Sequence, residues 1–334
     1  MWVALLLLPP LLLFAIWATA ALWIDGPASR KVAAPVTVAF VVATVGLLAW
    51  GGPGSWGGAS ALLLCACVLV WWLSLSPKSD REWESALSRL ATAEIDGDQV
   101  TFRNVRNFEY RSTDDFTEHW EDRVYSLSDL KGMDLFLSYW GPRFIAHTIA
   151  SWEFDAGRHL AISIEVRKVQ GQLYSAIEGF FRRFEVHYVV ADERDLIGLR
   201  THHRREDVYL YRLTIQRETA LGILRDYIYE MQNLSARARW YNAVTRNCTT
   251  AIRNHVKRVS PDDPWDWRIL LNGRIDELGY ERGNIDTSLP FEELRARSAI
   301  SARAQAARVG SDYSRRIREG LPGAPHPPSP SASR

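Results

Sequence analysis

The sequence predicts an α+β protein, with three amino-terminal transmembrane helices followed by a water-facing domain in which a mostly antiparallel sheet packs on helices. Three observations predict it. Met1 to Ile24 carry no ionisable side chain, and two further apolar runs follow at Val32–Trp50 and Ala59–Ser76. From Ile95 the chain alternates apolar and polar residues between turn signals, as half-buried strands do. Near Glu218 the spacing changes to apolar residues three and four apart, the period of a helix.

Each apolar run is long enough to cross a bilayer. The first lacks the basic n-region of a signal peptide and is followed at once by two more, so retention as a membrane span is expected. Pro9 and Pro10 are expected to kink the first helix, and Trp23, Trp50, Trp71 and Trp72 near the span ends suit the interfacial aromatic belt. Arg30 and Lys31 would place the first loop, and with it the domain, in the cytoplasm, whereas Lys78 and Arg81 blur that vote.

Residues 78–94 read as a charged helical stem after the 1–77 anchor, with Trp83, Ala86, Leu87 and Leu90 at helical spacing. The main domain is expected over 95–285. It opens with a strand pair near 95–111 around Asp96-Gly97, and another strand covers Met133–Tyr139. A hairpin joins Arg143–Phe154 to His159–Val169 through Asp155-Ala-Gly-Arg. Further strands are expected at Phe184–Val190, Leu196–His202 and Val208–Ile215. One helix begins near Glu218, and a second follows Asn247 and ends before Pro261. An accessory helical segment takes 286–319, and 320–334 is expected to be a disordered tail, too rich in Pro and Ser to bury a core.

The 334 residues carry 40 basic and 39 acidic side chains, so no global field points to nucleic acid. Of three cysteines, Cys65 and Cys67 lie inside the third apolar run, which leaves Cys248 as the one aqueous thiol and excludes a disulfide framework or a multi-cysteine zinc site. Cys248 falls at the start of the second helix. There the free N–H groups of the first turn favour thiolate over thiol and could hold an oxyanion, although a buried structural cysteine fits the same position.

A thiol nucleophile needs a base. His147 stands in an otherwise apolar and small run, Phe144-Ile-Ala-His-Thr-Ile-Ala-Ser-Trp, where burial demands a partner. A hairpin turning about Ala156 puts Glu165 opposite it, and a one-residue slip would put Val166 there instead. His159 is expected to be exposed, and His202 and His203 to point to opposite faces of a strand. His255, two helical turns beyond Cys248, is taken as surface. No metal or other cofactor is expected. The stretch containing Arg182, Arg183, Glu193, Arg194, Asp195, Arg200, Arg204 and Arg205 reads as solvated edges and loops, with an anion clamp for a phospholipid headgroup as the sharper alternative.

The order Ala146-His-Thr, Ser163-Ile-Glu-Val-Arg, Glu193-Arg-Asp, Trp240-Tyr-Asn and Asn247-Cys-Thr-Thr resembles the bacterial family of the Lnb lipoprotein N-acyltransferase amino-terminal periplasmic domain, over roughly Asp114 to Val259. The resemblance implies a permuted papain-like (NlpC/P60-like) cysteine fold, with the histidine strand ahead of the cysteine helix. It also implies acyl transfer onto lipoproteins at the outer face of the bacterial inner membrane. His147 and Cys248 match the family's histidine and cysteine, and Glu165 falls on a recurrent motif. The expected protein is then a multi-pass inner-membrane cysteine acyltransferase with its catalytic domain in the periplasm. Its partners would be the bilayer, a phospholipid donor and a lipoprotein acceptor, and no nucleic acid. Two rivals stand beside it: a cysteine peptidase or cell-wall amidase using the same dyad, and a non-enzymatic membrane-tethered binding module in which thiol and imidazole do not meet.

Overall fold

The computed structural model describes residues 2–27, 29–78, 80–307 and 309–326. The chain divides into two compact units. The first comprises residues 1–80 with two later excursions, 173–185 and 239–243. Its helices α1 (Trp2–Ile24), α2 (Arg30–Gly51) and α3 (Trp56–Ser74) are each long and apolar enough to cross a membrane, and α1 runs through both prolines.

Polar groups at the span ends fasten the two excursions to this bundle. Asp25, just past α1, accepts hydrogen bonds from Trp72 Nε1 (2.7 Å) and Arg182 N (2.9 Å), and the Arg182 guanidinium stacks 4.4 Å over the Trp72 ring. Trp240 Nε1 donates to Leu75 O at 3.0 Å, and Tyr241 N donates to Phe184 O at 2.9 Å.

The second unit is built on an eight-stranded sheet. Its strands are β1 (Thr92–Asp96), β2 (Gln99–Arg106), β5 (Trp120–Ser126), β6 (Leu130–Tyr139), β7 (His147–Phe154), β8 (Arg158–Arg167), β9 (Glu185–Ala191, entered from the first unit) and β10 (Asp207–Arg212). A separate small hairpin holds β3 (Glu109–Tyr110) and β4 (Phe116–Thr117). The order is β1-β2-β9-β8-β7-β6-β10, with β5 also on β2. The β1–β2, β2–β5, β6–β7, β7–β8 and β6–β10 pairs are antiparallel, and β2 meets β9 in parallel.

Apolar alternation places helices on both faces of the sheet. On one face, Trp152 Nε1 donates to Ala220 O of α5 (Arg217–Ala236) at 3.0 Å, and Thr148 Oγ1 lies 3.1 Å from Thr249 Oγ1 of α6 (Cys248–Val259). On the other, Phe136, Ile149 and Ala161 share a core with Leu196 of α4 (Glu193–Gly198), Ile300 and Ala304. Short helices complete the unit: α7 (Ile275–Glu281), α8 (Phe291–Ser298), α9 (Ser301–Ala306) and α10 (Tyr313–Arg316).

The α+β class stands, with local corrections. Among the described residues of 78–94 the chain holds a 3-10 turn at Ser85–Leu87 and the start of β1 in place of a helical stem, because Trp83 bridges to Val169 and Glu84 N bonds Lys168 O at 3.0 Å. Leu196–His202 is helical, since Asp192 caps α4 by accepting from Arg194 N, and a π-turn follows at Leu199–His203. Within the tail, residues 320–326 are placed and 327–334 lie outside the described residues. Leu321 is buried in the sheet's core, Arg212 Nη1 donates to Gly323 O (3.2 Å), and His326 Nε2 lies 2.9 Å from Asp134 Oδ1.

Two histidines taken as surface residues are buried. His159 Nδ1 bonds Gly157 O at 2.9 Å, while His255 sits between Asp226 Oδ2 (2.5 Å) and Tyr188 OH (2.8 Å) and ties α6 to α5 and β9. The stretch expected to be solvated supplies buried ion pairs. Asp195 takes a forked bond from Arg106 and the amide of Phe108, and Glu193 is held by Ser151 and Arg318.

Candidate active site

The site forms where β7 begins and α6 begins. Both starting points are fixed locally. The β7–β8 hairpin turns through Ala156 (φ 59°) and Gly157 (φ 67°), and Ile149 faces Ser163, a register that carries His147 opposite Glu165. On the helix side, Asn247 caps α6 in a closed box: its Oδ1 accepts from Thr250 N at 2.8 Å, and its own N–H donates to Thr250 Oγ1 at 2.9 Å. Cys248 is therefore the first residue of the helix, with the partial positive charge of the first turn beneath its thiol.

His147 and Cys248 meet. Burial works against the Cys248 thiolate, yet the charge and hydrogen bond of His147, joined by hydrogen bonds from the Thr148 side chain and backbone, bring the thiol down from an ordinary 9.0 to about 6.

His147 is in turn oriented from behind. Its Nε2 lies 2.6 Å from Ser163 Oγ, and Ser163 Oγ donates to Glu165 Oε1 at 2.9 Å. A hydroxyl has one proton; since Ser163 gives its own to the carboxylate, it must accept from His147 Nε2–H. That assigns the tautomer and leaves Nδ1 as the basic ring nitrogen. Glu165 thus acts through Ser163 rather than directly, its Oε1 standing 3.8 Å from His147 Nε2.

Arg200 Nη2 donates to the same Oε1 at 2.9 Å and anchors its other arm on Leu196 O. The Glu165 carboxyl is held well below the carboxylate range: burial pushes it up, but Arg200, then His147, Arg106 and Arg204, outweigh that. The His147 and Glu165 side chains remain 15% and 20% exposed, so the chain of bonds reaches solvent.

A fourth segment closes the site. Asn272 accepts from Ala146 N through Oδ1 (2.9 Å) and donates from Nδ2 to Ala146 O (2.6 Å), imitating a strand partner to the residue that precedes His147. The same Nδ2 lies 3.9 Å from Cys248 Sγ and also bonds Thr249 Oγ1. Gly273 follows with its N–H on Phe144 O at 3.1 Å; a Cβ there would stand 2.0 Å from Arg143 O, so only glycine allows this approach. One residue thereby sets the spacing of β7 and α6.

All three residues singled out from the sequence, Cys248, His147 and Glu165, are brought together. Ser163 and Thr148 stand out in the sequence only as neighbours of the motif residues, and Asn272 does not stand out. Its one sequence signal is an Asn-Gly pair after Leu270-Leu271, which reads as an ordinary turn. Arg200, weighed as part of an anion clamp, is spent on Glu165.

Residues 116–273 match the family described as Lnb N-terminal periplasmic domain. The match spans every residue of the site, including Asn272, and leaves the three spans and the last segment outside. No curated protein and no solved structure matches the chain.

Proposed function

We propose, for a chain whose residues 116–273 belong to the Lnb N-terminal periplasmic domain family and that carries three helices fit to span a membrane, that it is a cysteine acyltransferase working on the periplasmic face of a bacterial inner membrane. One observation carries the reading: Cys248 opens a helix with its thiol brought down to about 6 by His147, itself oriented through Ser163 and Glu165. This is the ordering of nucleophile, base and orienting group that acyl transfer requires, in the permuted papain-like sequence of histidine strand before cysteine helix.

The chemistry follows from these groups. His147 takes the thiol proton, and the Cys248 sulfur attacks a phospholipid ester carbonyl. The resulting oxyanion is received by the Cys248 and Thr249 amides of the first helical turn, which have no acceptor within their helix. Protonated His147 returns the proton to the leaving glycerol oxygen, so that lysophospholipid departs and a thioester remains on Cys248. An amine of a lipoprotein then attacks the thioester while His147 accepts the amine proton, and the amide forms as the thiolate leaves. The spans hold this thiol beside its donor and raise the effective donor concentration.

The test uses full-length protein in liposomes containing a phospholipid labelled in one acyl chain. Labelled thioester should appear on wild-type protein, vanish with hydroxylamine and be missing in Cys248→Ala. Adding a peptide with a free amino-terminal diacylglyceryl-cysteine should move the label into an amide. Release of free fatty acid with no amide would make the protein a hydrolase, and no thioester under any condition would end the enzymatic reading.

A further inference from the structure

Beside the Cys248 site lies an exposed apolar rim that the chemistry above does not use. Trp140, Phe144, Ile145, Trp267, Leu270 and Leu271 are each 41–56% exposed. They come from two segments that are bonded to each other: Gly273 N donates to Phe144 O at 3.1 Å, and Asn272 brackets both backbone groups of Ala146. The segments therefore form one patch, and Asn272 Nδ2, 3.9 Å from Cys248 Sγ, places that patch next to the thiol. Isolated exposed apolar residues are ordinary, but six large ones on two touching loops beside a nucleophile mark an interaction surface.

We infer that this rim is a membrane-docking lip that seats in the headgroup–acyl boundary of the bilayer and brings the Cys248 site to lipid. Its occupant is identified by two facts. The helix α3 ends at Ser74 and the second unit starts at Arg81, a tether of at most about 25 Å when fully extended, so the unit cannot leave the membrane surface. The rim also pairs tryptophans with aliphatic side chains and has the exposed Arg143 directly before Phe144, the mix of aromatic, aliphatic and basic side chains that favours the interfacial zone. The inference rests on the acyltransfer reading only for its purpose, which is to let an acyl chain reach the thiol without crossing water.

The experiment reads depth, not activity. Full-length protein with Cys65, Cys67 and Cys248 replaced by alanine receives one new cysteine, Ile145→Cys, Leu271→Cys or, as a control on strand β5, Val124→Cys, which is 48% exposed. Each is labelled with an environment-sensitive nitrobenzoxadiazole dye and reconstituted in phosphatidylcholine vesicles with or without a shallow doxyl-labelled lipid. Labels at 145 and 271 should lose at least half their emission to the doxyl lipid, while the label at 124 loses little. Equal, weak quenching at all three positions overturns the inference. So does a blue-shifted but unquenched label at 145 and 271, the signature of a protein cover. Because these variants lack Cys248, a positive result stands even if no acyl transfer is ever found, and a negative one leaves the transfer reaction to its own assay.

Discussion

Replacing His147 by alanine should move the pH dependence of Cys248 more than any other single change. With the wild-type thiol brought down to about 6, most of the protein should carry thiolate at pH 7. Burial alone raises the thiol, and His147 is first among the groups that oppose it; without the ring the midpoint should sit at or above 9, leaving roughly 1% thiolate at pH 7. The fall in alkylation rate at pH 7 will be smaller than that ratio. A more basic thiolate is intrinsically the better nucleophile, with a Brønsted slope of about 0.4–0.5, so the roughly 100-fold loss of thiolate is offset to a net drop of roughly 5-fold. The midpoint is the decisive readout. Rates of iodoacetamide labelling from pH 4.5 to 10 should give a wild-type rise centred near 6 and a His147→Ala rise displaced to 9 or beyond. Cys65 and Cys67 are replaced by alanine in both proteins so that one thiol reports. A His147→Ala midpoint that stays below 7 would show that the helix terminus and Thr148 suffice, and would remove His147 from the role of base.

Three further outcomes follow from the same contacts. Glu165→Gln keeps the shape but removes the charge facing Arg200 and the preferred acceptor for Ser163; thioester formation in single turnover should fall on the order of 100-fold, and a pH–rate profile unchanged in both height and midpoint would reduce Glu165 to packing. Asn272→Ala frees both backbone groups of Ala146, and Gly273→Ala drives a Cβ into Arg143 O, so each should slow Cys248 labelling while costing about 1–3 kcal/mol in chemical denaturation; full stability together with full reactivity in either variant would refute the clamp. Acid should destabilise the second unit in a defined window. Glu165 is held well below its ordinary 4.5, Glu193 is held down to about 2 by Arg318, and Asp134 is depressed by Arg318 and His326. Carboxyls with lowered folded values stabilise above their unfolded values and lose that contribution as pH falls towards the folded ones, so Tm should be flat from pH 7 to 5 and decline below about 4.5; a Tm unchanged down to pH 3 would contradict the buried ion pairs.

The parts of this site that were legible in the sequence are those whose signal is local. Cys248 after Asn247 announces a capped helix start, and the Asp155-Ala-Gly-Arg turn fixes a register that brings His147 to Glu165 within one hairpin. The parts that were not legible are set by long-range closure. Asn272 meets Ala146 across 126 positions, and Arg318 meets Asp134 across 184, so neither leaves a mark on its neighbours. Composition misled for the same reason. A Pro- and Ser-rich tail reads as unable to bury a core, yet the sheet lends one to its described residues, 320–326: Leu321 needs only a place in a core built by others, and His326 needs only Asp134.

That asymmetry bears on how the site works. The proposed nucleophile and base, Cys248 and His147, come from the two segments that are individually well determined, a capped helix and a tight hairpin, while the distance between them is set by a side chain from a loop that also carries the apolar rim. Asn272 is bonded to Ala146 on one side and to Thr249 on the other, and Trp267, Leu270 and Leu271 lie within five residues of it. Any force on the rim, such as seating in a bilayer, therefore acts directly on the residue that spaces His147 from Cys248. Thiol reactivity measured in detergent and in phospholipid vesicles should consequently differ for the wild type, and the difference should disappear in Asn272→Ala, where the loop no longer reports to the strand. Equal reactivity of the wild type in both environments would mean that the rim and the dyad are neighbours without being coupled.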